Sequence, residues 1–481
     1  MPVPSFRLRH FSRLVRSAPR RAGRISVQAL RANLLRPSLP AVSLPRPSAG
    51  RAAAAHVLAE WRDFFGPSHR LYARLAIAAG SVATLSGMAV LLPLLISAGV
   101  GAGLATLIGV AILAGPAAQL FVPTLLRRSG GQLRRATLIC AAIGETRGLW
   151  LAPLVLLAGL NHDLVPLLIG GIVVAIALAG VFGGVAAANL QAWFAVILPE
   201  PERRLVAPRV AGLGLATGAL VLLPASLAVS FLAGQFGLIV YAVPFLVAGL
   251  AGLAELAVMA RLPRPGRVRV PKLPAAGARP ELGRFVIAAA IAAFGAGLAP
   301  YFVVYAMAGL GFSAGAAIAL SAFTSAISLL ASTVAAIILA RRSSSRLLRR
   351  AWAMLGTGWL LMLGSLPFNP FGLAVFIGAV AVISAGGALA QLATNERLMR
   401  LAGADAIAFQ GRFVAVSAGT VSVGQLLASA LLMVSGPGVV AFGFLFVVSG
   451  ATRLLAANRL EISLVSSETK VYVGLGQTSR A

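Results

Sequence analysis

Two acidic residues of this 481-residue chain stand deep inside long apolar stretches: Glu145, with Arg147 two positions on, and Glu255. Ionisable groups are costly to hold in hydrocarbon, so each marks a proton relay, an ion path or a buried pair. Glu145 stands about nine residues into its stretch, near mid-depth at ~1.5 Å of rise per residue. A carboxyl group at that depth can exchange a proton as the surrounding helices move, which makes Glu145 and Arg147 the proton-coupling candidates. The competing reading is a structural charge pair that holds helices together. Residues two apart on a helix do not face each other, so Arg147 is expected to find its partner on a neighbouring helix. Glu255 lies five residues from the end of its stretch and close to Arg261, which points to an interfacial acid reaching for the adjoining loop.

Other chemistry is absent. One cysteine, Cys140, excludes a disulfide framework and a cysteine-based zinc site, and His10, His56, His69 and His162 have no metal-ligand spacing. There is no nucleophile with a base and no phosphate-cradling Gly-rich loop ending in Lys and Ser or Thr. The expectation is a protein that is not an enzyme, is not driven by its own ATPase and holds neither metal nor cofactor.

The elements that position these residues follow from composition. The chain is 59% hydrophobic and 11% charged, where soluble domains carry about 25% charged residues. A bilayer core is ~30 Å thick and needs ~20 apolar residues in a helix. Twelve such stretches are predicted, near 74–97, 102–125, 137–159, 164–188, 210–233, 237–259, 285–308, 314–339, 351–366, 371–394, 413–435 and 438–457. The ninth is short and ends at Pro367. Positive charge tests this topology, because short translocated loops lose it. Outside the stretches, Lys and Arg fall in residues 1–74 and in every second connection thereafter, with Arg453 counted into the tail; 40 of the 41 basic residues obey the pattern and Arg147 alone breaks it. An even number of spans with both termini cytoplasmic is the arrangement that fits. The formal charge of +29 therefore follows an anionic leaflet and needs no nucleic-acid partner.

The domains are expected as a basic cytoplasmic tail (1–73), a six-helix bundle (74–260), a Pro/Arg-rich cytoplasmic linker (261–283), a second six-helix bundle (284–459) and a cytoplasmic tail (460–481). Residues 1–59 contain eleven arginines and no acid. They read as a disordered basic tail or as a short amphipathic helix on anionic lipid, around Phe6, Phe11, Leu14 and Val15. An Arg-rich, Ser-rich start also fits a transit peptide, but arginine dominates throughout the chain and favours a bacterial origin. The halves share a basic motif between their second and third spans, Leu133-Arg134-Arg135-Ala136 against Leu348-Arg349-Arg350-Ala351. A repeat at that spacing implies a duplicated six-helix unit, the architecture from which secondary transporters build a midplane site.

Three segments carry a family resemblance: Trp193 to Arg204 (WFAVILPEPERR), Pro300 to Ser313 with its Tyr301, Tyr305 and Leu310-Gly311-Phe312-Ser313, and Asn395 to Leu401 (NERLMRL). Over residues 74–459 the chain resembles the major facilitator superfamily. The resemblance implies an all-α membrane protein of twelve transmembrane helices in two pseudo-repeats, working by alternating access in a bacterial inner membrane. It makes Arg127, Arg128, Arg203, Arg341 and Arg342 the gating-loop candidates, although the aspartate of the family's loop between helices two and three is replaced here by Leu126 or Arg127. It also implies that helices one, four, seven and ten line a cavity. Their polar residues are neutral: Ser81, Thr84 and Ser86; Asn189 and Gln191; Tyr301 and Tyr305; Ser384, Gln391 and Asn395. Thr84, Tyr301, Tyr305 and Gln391 are the substrate-binding candidates. Tyr301 and Tyr305 share a helix face and can stack on a ligand, or form a tyrosine pair at the outer interface. The expected function is transport of a small neutral or amphipathic organic solute, as uniport or linked to protons. The alternative is a non-transporting scaffold, assembly factor or sensor of the same shape. The expected partners are the bilayer, a small-molecule substrate and anionic lipid at the basic tail.

Overall fold

The computed structural model of the chain describes residues 64–66, 69–122, 124, 132–198, 200–265, 280–298, 301–341, 343–366, 370–402 and 406–478. The described residues fall within one compact unit, 63–481. Among them the structure is helical and contains no strand.

Each of the twelve apolar stretches is helical, but three are broken. The first forms α1 (Arg70–Leu85) and α2 (Met88–Ser97). The second forms α3 (Ala102–Ala114), which tightens into a 3-10 turn at Gly115–Phe121. The third splits into α4 (Leu133–Gly144) and α5 (Arg147–Leu160). Then follow α6 (Val165–Ile197), α7 (Glu200–Phe236) and α8 (Ala242–Met259). The seventh stretch splits into α9 (Pro280–Ala296) and α10 (Tyr301–Ala308). The remainder are α11 (Ala314–Arg341), α12 (Ser344–Leu361), α13 (Pro370–Ala402), α14 (Ala406–Ser435) and α15 (Val439–Thr478). The ninth stretch, short in sequence, is lengthened because α12 starts at Ser344 and takes the basic loop into its first turns.

Two of the breaks carry side-chain hydrogen bonds to ladder carbonyls. At the first, Thr84 Oγ1 and Ser86 Oγ donate to the carbonyls of Gly80 and Val82, at 2.6 and 2.5 Å. At the third-stretch break, Thr146 Oγ1 takes the Ala142 carbonyl and Arg147 Nη1 takes that of Gly144, at 2.5 and 3.0 Å. Hydroxyls and guanidinium groups that compete for ladder carbonyls bend or open a helix.

Eight described stretches are long and apolar enough to cross a membrane; one of them, Arg209–Met259, carries both α7 and α8. The apolar exterior agrees: Val434, Val440, Phe231 and Phe371 are 74 to 89% exposed. A water-soluble chain does not present apolar area on that scale, so this is a multi-pass membrane protein.

Helix packing repeats. In the first six spans α1 packs on α7 and α8, α3 and α4 on α6, and α5 on α8. In the second six α9 packs on α14 and α15, α11 and α12 on α13, and α12 on α15. Close approaches fix the register of this repeat. A Cβ on Gly252 would collide with the Glu145 carbonyl, and one on Gly450 with the Leu360 side chain. Gly148 abuts Phe245 and Gly249, and Gly443 faces Leu363. Glu145 and Leu360 are separated by 215 positions, as are Leu133 and Leu348 of the shared basic motif. On the partner helices Gly252 and Gly450 are 198 apart, which aligns Glu255 with Arg453.

Candidate functional site

The break in the third stretch creates the first charged cluster. Glu145 and Thr146 form a turn between α4 and α5, so Arg147 can swing back to its own neighbour. Arg147 Nη1 lies 3.4 Å from Glu145 Oε2, with the two side chains 16 and 18% exposed. The expectation that Arg147 pairs with another helix is thereby corrected, because the two-residue rule assumes a continuous helix. Glu255 joins them from α8. It is 3% exposed, its Oε2 has no hydrogen-bond partner, and Glu145 and Arg147 are within electrostatic reach. The expected interfacial acid is thus buried. The glycine contact at Gly252, one turn away, draws α8 against the break and takes Glu255 out of water.

At the aligned position in the second half stands Arg453, 3% exposed. It was expected at the last helix's end, among the tail's basic residues. Instead α15 continues to Thr478, and Arg453 sits between α9 and α12. Its Nη1 donates to Ser449 Oγ, and its guanidinium carbon is 5.5 Å from the centre of the Trp359 ring. Ser449 Oγ in turn donates to the Gly295 carbonyl at 3.1 Å.

The substrate-binding candidates are dispersed. The Thr84 hydroxyl donates to Gly80 and packs against Gly218 of α7. Tyr305 is fully buried: its hydroxyl is 3.0 Å from both the carbonyl and Oγ of Ser365, and its ring stands edge-on to Phe376, Phe442 and Phe446. Gln391 is exposed on α13, as is Asn395. Tyr301 opens α10, and its side chain is outside the description. The same holds for the side chains of Gln191, Arg203 and Arg341, while Arg127, Arg128 and Arg342 lie outside the described residues. Asn189 is buried, with its Oδ1 unpartnered.

Sequence reasoning missed a hydroxyl stripe on α11. Ser321, Ser325, Ser328 and Ser332 recur every three or four residues and so share one helix face. Ser328 Oγ donates to the Ser384 carbonyl of α13 at 3.3 Å, so the stripe looks toward that helix. The periodicity was visible in the sequence, but the resemblance drew attention to helices one, four, seven and ten.

The Trp193 motif has a mechanical role: its Nε1 donates to the Pro263 carbonyl at 2.9 Å and ties the end of α6 to the segment after α8. The two halves meet where α3 packs on α14 and α7 on α11. Ser226 Oγ donates to the Gly315 carbonyl, Ser429 Oγ to that of Gly103 and Gln425 Nε2 to that of Thr106, at 2.9, 2.6 and 3.3 Å. These bonds lie toward the bundle end whose connections lack arginine. At the basic end Gly411 rests against the Gln119 carbonyl.

No family model matches the sequence, and no curated protein matches it. Solved structures do. The inward open xylose transporter XylE from E. coli superposes with a TM-score of 0.61 at 14% identity, over 81% of this chain and 94% of that one. The POT family transporter PepTSo gives 0.60 at 13%, over 84 and 99%. A bacterial homologue of the iron transporter ferroportin, in an inward-facing state, gives 0.59 at 14%, over 82 and 98%. The chain has the major-facilitator fold.

Proposed function

We infer that the protein is a secondary transporter, moving a small neutral or amphipathic organic solute by alternating access between residues 74–260 and 284–459. Both termini face the cytoplasm of a bacterial inner membrane in this reading, and the basic loops hold that orientation. The observation that carries it is the seam between halves. Interhelical hydrogen bonds in membranes average about 0.6 kcal/mol, so the three across this seam contribute roughly 2 kcal/mol. Bonds this weak can part and re-form as the halves rock. The hydroxyl stripe of α11 with Ser384, together with Thr84 and Gln391, suits a solute without fixed charge. Each back-bonded hydroxyl still has lone pairs to accept a hydrogen bond.

The test is a thermal-shift screen of the purified chain against metabolites and drugs, followed by counterflow in proteoliposomes with whatever binds. Saturable stabilisation by one chemical class and counterflow of that class are expected, since a ligand selective for the folded state raises its stability by mass action. Stabilisation without any flux would instead mark a sensor or scaffold.

A further inference from the structure

The cluster of Glu145, Arg147 and Glu255 contains two carboxyl groups and one guanidinium within the membrane layer. With all three ionised it would carry a net negative charge among lipid-facing helices. Desolvating an ion without a compensating partner costs several kcal/mol, whereas adding a single proton makes the group neutral. Arg147 already spends one amine on Glu145 and on the Gly144 carbonyl. Glu255, more buried than either neighbour, keeps an oxygen with no hydrogen-bond partner.

The elements packed against α8 offer no other compensation. They are α1, α4, α5 and the 3-10 turn before α8. Their titratable or charged side chains are Arg70, Tyr72 and Arg74 on α1; Arg134, Arg135 and Cys140 on α4; Arg147 on α5; and Tyr241 in the turn. Arg134 is committed to the Ala260 carbonyl at 2.6 Å, at the basic end of the helix pair. Of these groups only Arg147 acts electrostatically on Glu255.

The repeat supplies an independent argument. The second-half positions that align with Glu145 and Arg147 are Leu360 and Met362, facing Arg453. Helices packed in the same register therefore need no acid at these places. The pair of acids in the first half serves something other than packing.

We propose that Glu255 and Glu145 together bind one exchangeable proton at the α4–α5/α8 contact, away from the solute path. Uptake from water forms an O–H bond on the buried Glu255 carboxyl group, while Glu145 stays ionised and Arg147 balances its charge. Release returns the cluster to a net charge of minus one, and the proton leaves to water at the basic end. The bound proton stands independently of transport. That it is the ion coupled to solute movement rests on the transporter reading above.

The test is infrared spectroscopy of the purified full chain in lipid nanodiscs at neutral pH, reading the C=O stretch of a protonated carboxylic acid. The wild type should show the band, Glu255→Gln should lose it, and Arg147→Met, which leaves two acids without a base, should enlarge it about twofold. Glu255→Asp keeps the carboxyl group and should keep the band, which separates loss of the proton from loss of packing. A wild type without the band, or a band untouched by Glu255→Gln or by Arg147→Met, overturns the proposal. Solute counterflow, which needs no net proton movement, is measured on the same preparations. Its failure in the wild type would refute the transporter reading and leave the proton site standing.

Discussion

Glu145 and Arg147 meet because the helix opens at Glu145 and Thr146, where the Thr146 and Arg147 side chains bond back to the Ala142 and Gly144 carbonyls. The consequence for function is local. In Glu145→Gln, Glu255 is left opposite Arg147 as a neutral pair with no proton to exchange. Uptake driven by a pH gradient is expected to fall to background in proteoliposomes, with counterflow retained; driven uptake at the wild-type rate would remove Glu145 from coupling. Arg453 poses the opposite case, a buried cation with no acid beside it among the described residues, held by Ser449 and the Trp359 ring. A desolvated cation–π contact contributes about 2 kcal/mol and a charged hydrogen bond about 1.5 to 3 kcal/mol. Together these are of the same order as the several kcal/mol that burying the charge costs. Arg453→Met, which keeps the side-chain bulk against Trp359, should therefore leave the unfolding midpoint in detergent unchanged or raised. A drop of several degrees would identify the guanidinium as a net stabiliser.

Helices in this protein are placed by glycine as much as by apolar periodicity. Lipid is as apolar as a leucine side chain, so helices associate through close backbone approach. The Gly252 contact with the Glu145 carbonyl, the Gly80 contact with Gly214 and the Gly450 contact with the Gly356 carbonyl are of this kind. Gly252→Val would push a branched side chain into the Glu145 carbonyl, and overpacking of this sort costs roughly 1 to 3 kcal/mol. The midpoint should fall by several degrees, and Gly170→Ala, at a glycine with open space around it, should not move it. What the sequence reveals divides along the same line. Stretch length and the alternation of arginine mark the twelve apolar stretches, because those signals answer to the bilayer rather than to neighbours. The burial of Glu255 and the true place of Arg453 depend on which glycine meets which neighbour across the bundle. Periodicity along one chain segment does not record that. The basic motif at Leu133 and Leu348 is the exception, a local repeat whose spacing also proves to be the register of the packed helices.

At the level of the whole molecule, orientation and movement are separate questions, and the single native cysteine makes both accessible. In a Cys140→Ser background, Asp163→Cys should react with an impermeant thiol reagent from outside the cell and Arg346→Cys only after permeabilisation. Reaction of both from one side would end the topology drawn from the arginines. Movement is read at the seam. Gly103 on α3 and Ser429 on α14 lie within one hydrogen bond of each other at the arginine-free end, as do Ser226 on α7 and Gly315 on α11. If solute crosses by rocking of the halves, these contacts must part once per cycle. Joining Thr106→Cys on α3 and Gln425→Cys on α14, positions that meet through the Gln425 Nε2 bond to the Thr106 carbonyl, with a short bifunctional thiol reagent should then reduce counterflow at least tenfold, and a reductant-cleavable linker should restore it. Each single cysteine variant should transport normally with the same reagent. Undiminished counterflow in the fully linked protein would mean that the seam never opens and that solute takes another route.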